Sequence, residues 1–347
     1  MLFGSKKVVG IDVGTSSIKL AEMDVSGKSA KLTHFSMTET PTSAVSNGDI
    51  VDNGAISTAV RHLIAESKVK RKQAATGLWG SSVIVKKINI PKMDKSLVAE
   101  QIRWEAEQYI PFELNEVNLD FHILRDSLSS DSMDILLIAA KHEQIFKMVE
   151  IIQGAGLTCS HLDINGFALS NLYLQNFGNT GEAMHMVLNI GANYTNFIVI
   201  NGKEVIFCRD IPVGGSVYTS EIQKGMGISP AEAESLKLSL SRGGSVPDEV
   251  SEIISSTNEM VVDEIQGSLD FFINTTPGAH ITNCFVSGGG SRTKNLRKSI
   301  SEAISIPCDR FNPFQNIKVK LNSDYAKEIG DFASIALGLA LRKVGDE

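Results

Sequence analysis

The chain opens on an apolar run at residues 8–13 that stops at Gly14-Thr15-Ser16-Ser17. Further apolar stretches lie at 18–23 and near 31–37, separated by a Ser-Gly-Lys turn at 26–28. Short apolar runs divided by Gly, Ser and Thr predict a β-meander. Residues 55–67 place Ile56, Val60, Leu63 and Ile64 at helical spacing. The basic run at 68–72 reads as a solvated helix terminus favoured by the macrodipole. A strand at 83–90, stopped by Pro91, precedes a helix from Asp94, its expected N-cap, to Tyr109. Ordinary core packing is expected for most apolar positions of that helix, whose stripe is Val98, Ile102, Ala106 and Tyr109. Strands at 121–125 and 133–140 complete an inserted α/β unit at 83–148. A helix at 144–153, capped at Gly154 or Gly156, leads to a strand at 157–163 and a helix at 167–176 ending at Gly178.

After Gly181 the pattern restarts. A strand at 186–190, a hairpin at Gly191-Ala192-Asn193, a strand at 195–200, a turn at Asn201-Gly202 and a strand at 205–208 copy the layout of 8–37. Gly14 and Gly191 lie 177 positions apart in a chain of 347, so two homologous lobes are the simplest account. Helices follow at 228–241 and 247–273 across a Gly243-Gly244 break. A strand at 281–286 then runs into Ser287-Gly288-Gly289-Gly290-Ser291, ahead of helices at 293–303 and 332–342.

Composition narrows the class. With 42% hydrophobic and 21% charged residues and no low-complexity segment, the chain is a folded one. Its 347 residues exceed one ordinary core of roughly 100–200 residues. A net charge of −7 disfavours a general nucleic-acid binder. No apolar run approaches the ~20 residues of a membrane span, and the start of the chain lacks the apolar core of a signal peptide. A cytoplasmic location is therefore expected. Cys159, Cys208, Cys284 and Cys308 form no CxxC pair and the seven histidines form no HExxH, so neither a disulfide framework nor a zinc site is expected.

Three glycine motifs carry the chemistry. In the first, a buried strand brings Asp12 to a hairpin of Gly14, Thr15, Ser16 and Ser17, with Lys19 beyond. Free backbone N–H groups, hydroxyls and a cation suit a β/γ-phosphate, and Asp12 suits hydrated Mg²⁺. Two strands flank the glycine with no helix behind it, which excludes both a Walker A loop and a Rossmann fingerprint. The second motif, Asn189 to Thr195 with Gly191, Ala192 and Asn193, has the same layout, so two hairpins can clamp one polyphosphate. The third, Gly288, Gly289 and Gly290 followed by Arg292, lets backbone approach a flat ligand such as adenosine. A tight turn is the plain alternative for each; their joint occurrence favours a nucleotide.

In this order the motifs resemble phosphate-1, phosphate-2 and the adenosine motif of the actin-like ATPase superfamily. Residues 163–169 and 330–341 resemble its two connecting helices, and Glu234 and Lys237 match residues that line the adenine and ribose side. Within the superfamily, the runs at 1–4, 101–112, 209–215 (with Gly215) and 338–342 are similar to the PilM family of type IV pilus assembly proteins, relatives of the division protein FtsA. The resemblance implies an α/β, two-lobed, duplicated RNase H-like fold. It divides the chain into subdomain 1A at 1–82 and 149–180, an inserted 1C-type subdomain at 83–148, 2A at 181–220 and 281–329, a smaller 2B at 221–280, and a C-terminal 1A helix at 330–347.

Two departures bear on activity. Phosphate-2 usually carries an acid where Asn189 stands, and the first connecting helix usually carries Glu or Gln where Asn165 stands. Those groups position metal-bound and attacking water, so Mg·ATP binding with at most slow hydrolysis is expected, Asn165 and Asn189 being the weak catalytic candidates. The resemblance further implies a scaffold at the cytoplasmic face of the inner membrane, serving pilus biogenesis and twitching motility. It would bind the cytoplasmic N-terminal peptide of PilN beside residues 83–148. PilO, PilP, the PilB motor and the PilC platform would be reached indirectly, the membrane would be met only through partners, and self-association is left open. An active small-molecule kinase or ATPase would need a catalytic acid in place of the two asparagines. An FtsA-like division protein would need a C-terminal amphipathic helix, for which residues 343–347 leave no room.

Overall fold

Residues 7–46, 48–124 and 131–346 are described by a computed structural model. The family-like run at 1–4 and the Arg125 end of one predicted strand lie outside these described residues. The meander is formed by β1 (Val9–Val13), β2 (Ser17–Ser26) and β3 (Ser29–Glu39), each antiparallel to the next. A short hairpin, β4 (Val45–Ser46) and β5 (Asp49–Ile50), leads into α1 (Asn53–Ser67). The Asp52 side chain caps α1 by accepting from Ala55 N, and Lys68 closes it in the left-handed conformation at φ 55°.

The basic run after α1 is not simply a solvated terminus. Arg71 donates to the Val8 (3.1 Å) and Met23 (2.8 Å) carbonyls and pairs with Glu22 (3.0 Å) and Asp24 (2.9 Å), clamping β2 to the residue that leads into β1. β6 (Gln73–Leu78), which the hydrophobic pattern did not predict, then runs parallel to β1. Its Ala74 and Ala75 are fully buried, so small residues do the work that large alternating ones usually signal.

The inserted unit is β7 (Val83–Pro91), α2 (Lys95–Tyr109), β8 (Val117–Ile123) and β9 (Ser132–Lys141). It has its own antiparallel sheet, ordered β7-β9-β8, and its own core of Ile88, Val98, Ile102, Ala106, Ile135 and Leu137. One local expectation fails here. Asp94 occupies the N-cap position without a side-chain capping bond. Trp104 is 72% exposed, because it stands two residues from Ile102 and therefore on the far side of the helix.

The chain returns through α3 (His142–Gly154), β10 (Thr158–Ile164) and α4 (Asn165–Phe177). Gly156, not Gly154, takes the left-handed position after α3, and Gly178 ends α4. The second lobe begins with β11 (Met184–Ile190), β12 (Thr195–Asn201) and β13 (Glu204–Ile211). α5 (Gly215–Met226), hidden in the sequence behind its glycine start, precedes α6 (Pro230–Ser241) and α7 (Asp248–Thr275). β14 (Ile281–Ser287), α8 (Leu296–Ile304) and β15 (Cys308–Arg310) complete the lobe. α8 starts later than expected because Asn295 is left-handed at φ 65°. β16 (Ile317–Val319), α9 (Ser323–Ile329) and α10 (Ser334–Ala340) return to the first lobe.

The sheets repeat each other. One is ordered β10-β6-β1-β2-β3, extended by β16, and the other β15-β14-β11-β12-β13. In both, the first strand is antiparallel to the second and parallel to the strand on its other side. Between the sheets, α10 lies on β1 and β2, α4 lies on β12 and β13, and the two helices pack on each other. Each helix thus leaves one lobe to cover the other or to return from it. Contact is close enough to need glycine: a Cβ at Gly338 would collide with the Ala168 carbonyl oxygen, and one at Gly10 with that of Ala336. Arg342, just past α10, is tied to Asp163 at 2.8 Å.

Gly338→Ala should therefore lower stability by about 1–3 kcal/mol or more, through overpacking against backbone that cannot yield. Gly267→Ala, on exposed α7 with open space where the Cβ would go, should raise it by about 0.5–1 kcal/mol. Urea unfolding of both variants checks the pair; equal effects would mean that helix propensity rather than the crossing decides.

Candidate functional site

In the first lobe, Asp12 and Lys19 are register partners across the β1–β2 hairpin. They form a buried ion pair at 3.1 Å, and Lys19 Nζ also donates to Ser17 O at 3.1 Å. The turn closes by Gly14 N donating to Ser17 O (3.1 Å), and Thr40 holds the Gly14 carbonyl at 2.6 Å. The N–H groups of Thr15 and Ser16 have no acceptor among the described residues. They are free to meet an anion, the chemistry this sequence suggested.

The second hairpin repeats this geometry. Gly191 N donates to Tyr194 O at 2.9 Å, and Asn189 pairs in register with Asn196. The pair that is Asp–Lys in one lobe is here an Asn–Asn hydrogen bond of 2.9 Å. Both members lie 177 positions after their counterparts. The N–H groups of Ala192 and Asn193 likewise have no acceptor among the described residues. The start of α5 fixes this loop: Gly215 N donates to Gly191 O (2.9 Å) and Ser216 N to Ala192 O (2.8 Å).

The third motif meets the second. A Cβ at Gly290 would lie 2.8 Å from Gly191 O, too close to be accommodated, and one at Gly215 would be in ordinary contact 3.6 Å from Gly290 Cα, so three backbone segments converge here. Gly288 takes φ +90°, and Gly289 packs under the Phe332 ring. Lys237, buried, donates to Gly215 O and Thr219 Oγ1 at 3.0 Å each and pairs with Glu234 at 2.6 Å. Beside the glycines opens a cavity of about 270 Å³ lined by Ser241, Ser291, Arg292, Arg297, Arg310 and Asp331. Asp331 is gripped by Arg310 through two bonds of 2.7 and 2.8 Å, and the Arg292 guanidinium lies 5.5 Å from the Phe332 ring centre.

Strand register sets Asn165 near Asp12. β1, β6 and β10 are parallel, with Ile11 opposite Thr76 and Gly77 opposite Asp163. Asp12, Gly77 and Asp163 therefore share one end of the sheet, and Asn165, opening α4, lies over Gly77, which has no Cβ to obstruct it. The two lobes also touch directly: a Cβ at Gly48 would lie 3.2 Å from Asn193 Cβ, and one at Gly80 would lie 3.3 Å from the Tyr194 ring.

Two residues were missed from the sequence. Asn196 takes the hydrogen bond from Asn189 and donates to Asp210 at 2.7 Å; the offset of 177 from Lys19 was the available signal. Asp210 also accepts from Gly80 N at 2.7 Å, linking the second lobe to the strand end that leads into β7. No sequence offset marks it, because its register counterpart in the first lobe is an unrelated position.

Burial raises the Asp210 carboxyl above the ordinary aspartate value, against the lowering effect of Asn196 and Gly80. The folded state thus keeps this proton to higher pH than the unfolded chain. The associated stability is complete below about pH 4 and is lost as pH rises through the raised folded value. Asp210→Asn should remove that slope while costing a constant offset for one lost acceptor. Urea midpoints from pH 4 to 8 test this; a difference from wild type that stays constant with pH contradicts it.

The family model for the type IV pilus assembly protein PilM matches residues 10–344. The solved PilM–PilN type IV pilus biogenesis complex is 26% identical to the chain, with a TM-score of 0.87 over 98% of this chain and 99% of that one. The cell division protein FtsA of Streptococcus pneumoniae is 25% identical over 256 residues, 66% of this chain; the chain spans only 54% of that protein's length. The ethanolamine utilization protein EutJ of Carboxydothermus hydrogenoformans, 16% identical with a TM-score of 0.58 over 96% of this chain and 89% of that one, shares the fold. Among the described residues no helix is long and apolar enough to cross a membrane. The chain, an actin-like α/β protein of two repeated lobes, belongs to the PilM family of type IV pilus assembly proteins.

Proposed function

We propose that this chain is an ATP-binding scaffold of the pilus assembly machinery that recruits a PilN-type cytoplasmic tail. The observation that carries the nucleotide part is the meeting of glycine backbone at Gly191, Gly215 and Gly290, where added Cβ atoms would fill the space. Asp12 would hold hydrated Mg²⁺, with the hairpin N–H groups and Lys19 on the phosphates. Lys237, Glu234 and the cavity beside Arg292 would take the nucleoside. Bound Mg·ATP would supply a polyanion that bridges two hairpins and draws the lobes together.

A ligand bound only to the folded state adds RT ln(1 + [L]/Kd), about 2.7 kcal/mol at 100 Kd. Millimolar Mg·ATP should therefore raise the melting temperature, and Asp12→Ala or Lys19→Ala should reduce the rise. Absence of any shift in wild type, with no nucleotide carried through purification, rules the reading out.

Slow turnover is part of the same proposal. Asn189 is engaged with Asn196 and offers no charge to a metal-bound water, and Asn165 offers none either. Asn165→Glu combined with Asn189→Asp should raise phosphate release. Wild-type hydrolysis on the order of 1 s⁻¹ that Asp12→Ala abolishes would instead favour an ordinary ATPase of the same fold.

Recruitment is supported by a second cavity, about 500 Å³, between α2 and the free edge of β8, with Ile102, Arg103, Leu119, Phe121 and His142 among its walls. An open strand edge beside apolar pockets suits a short extended segment. The chain would then lie at the cytoplasmic face of the inner membrane through its partner, with the PilO, PilP and motor components beyond. A fluorescent PilN-tail peptide of about ten residues should bind at about micromolar Kd, near −8 kcal/mol. Arg103→Glu or Phe121→Ala should weaken it; unchanged affinity in both places the tail elsewhere.

A further inference from the structure

The duplication between the lobes breaks at one side chain. The first hairpin closes from Gly14 N to Ser17 O and the second from Gly191 N to Tyr194 O, so the offset of 177 puts Tyr194 where the first lobe has Ser17. A serine side chain is too short to cross the seam between the lobes, whereas the Tyr194 ring crosses it. A Cβ at Gly80 would lie 3.3 Å from Tyr194 Cζ, and one at Gly48 would lie 3.4 Å from Tyr194 Cε2, so the ring sits between two segments of the first lobe. Both glycines take positive φ, +82° and +85°. The ring packs on the first-lobe apolar cluster to which Ile50, Leu78 and Trp79 belong.

The ring, not the hydroxyl, makes this connection. Among the described residues the Tyr194 hydroxyl has no hydrogen-bond partner. Burial, then the carboxylates of Asp49 and Asp210, one from each lobe, raise the phenol above its ordinary value and keep it neutral. The second hairpin does not need the ring for its own shape. Its turn closes through backbone, Gly215 N and Ser216 N hold the Gly191 and Ala192 carbonyls, and Asn193 Nδ2 donates to Ser216 Oγ at 3.1 Å. Tyr194 thus fastens a hairpin that is already built to the opposite lobe. Ala192 and Asn193, with their free N–H groups, immediately precede it, so these donors are carried wherever the ring is seated.

We propose that Tyr194 is a positioning residue that latches the lobes together across the seam, and so sets the distance from the Ala192 and Asn193 donors to those of Thr15 and Ser16 for a bridging polyphosphate. The ligand part rests on the nucleotide reading above; the latch itself does not. When the binding-competent arrangement is populated only part of the time, apparent affinity falls by that fraction. Glu234, Lys237 and Gly290, assigned to the nucleoside, all belong to the second lobe, so a ligand without phosphates does not span the seam.

The test uses the full chain with Trp104→Phe, which leaves Trp79 as the one tryptophan. Trp79 is 7% exposed. Tyr194→Ala should raise acrylamide quenching of Trp79 several-fold and speed hydrogen exchange at 48–50 and 78–80, with exchange in α4 and α10 unchanged. Tyr194→Phe should match wild type in both. In titrations with Mg·ATP, Tyr194→Ala should raise Kd about tenfold and Tyr194→Phe less than about twofold, while adenosine binds all three chains alike. Quenching and exchange left as in wild type by Tyr194→Ala would overturn the latch. So would a loss in Tyr194→Phe as large as in Tyr194→Ala, or a loss for adenosine equal to that for Mg·ATP. Wild-type protein that takes up no Mg·ATP defeats the nucleotide reading alone, and the Trp79 and exchange results then decide for or against the latch.

Discussion

The contact between α4 and α10 is the constraint on which this structure depends. Each lobe alone is a sheet with one face to cover, and each connecting helix covers the other lobe's sheet or returns to its own. Buried side chains from both sheets therefore join in one cluster, in which Leu169, Leu172 and Tyr173 of α4 meet Ile198, Ile200 and Phe285 of the second lobe. Leu337, Leu339 and Ala340 of α10 carry that cluster to Val8 and Met23 of the first. The absence of a Cβ at Gly338 sets how closely these layers approach. With that spacing fixed, the strand ends bearing Asp12 and Asn189 stand on either side of a seam, and the glycine hairpins project into it.

Backbone shape is duplicated more faithfully than chemistry. The Gly14 and Gly191 turns close with the same hydrogen bond, and Asp12–Lys19 and Asn189–Asn196 occupy the same register positions. Replacement of an ion pair by a pair of amides keeps the hairpin closed while removing charge from that side. Asparagines satisfy one another and pass a bond on to Asp210, whereas a lysine there would have demanded a carboxylate. One lobe is thus arranged for charge, and the other for a hydrogen-bonded chain.

Legibility in the sequence followed these same physics. Strands that bury large residues, on alternate positions as in β2 or on both faces as in β12, announce themselves by pattern. β6 did not, because it is packed on both faces, with α10 on one and α3 on the other, and its first buried positions are the small Ala74 and Ala75. α5 was hidden by Gly214 and Gly215, whose role is to let the helix start sit on the 191–192 carbonyls; a Cβ at Gly214 would lie 2.6 Å from both oxygens. Trp104 lies out of phase with the stripe of Val98, Ile102 and Ala106 and is exposed, as strict tracing of the stripe requires. Arg71, four residues past α1, looked like part of a charge run, yet it clamps β2 to the residue that leads into β1 through carbonyls that no side-chain pattern reveals. Of the candidate site, the glycines and their offset were legible; Asp210 was not, because its partners are a backbone N–H and a side chain from distant parts of the chain.

That last residue ties the second-lobe hairpin to the root of the inserted unit. Asn189 stands at the mouth of the second hairpin, Asn196 behind it, Asp210 behind that, and Gly80 at the root of β7. Each bond is between 2.7 and 2.9 Å, and each acceptor already serves a second structural duty. A shift of the hairpin that carried Asn196 and Asp210 with it would stretch the bond from Gly80 N and leave the Asp210 carboxyl short of a donor, a cost of about 1–3 kcal/mol. Moving Gly80 with the hairpin avoids that cost, and moving Gly80 moves the start of the inserted sheet. The cheapest deformation of this seam is therefore one in which the second-lobe hairpin and the inserted unit travel together.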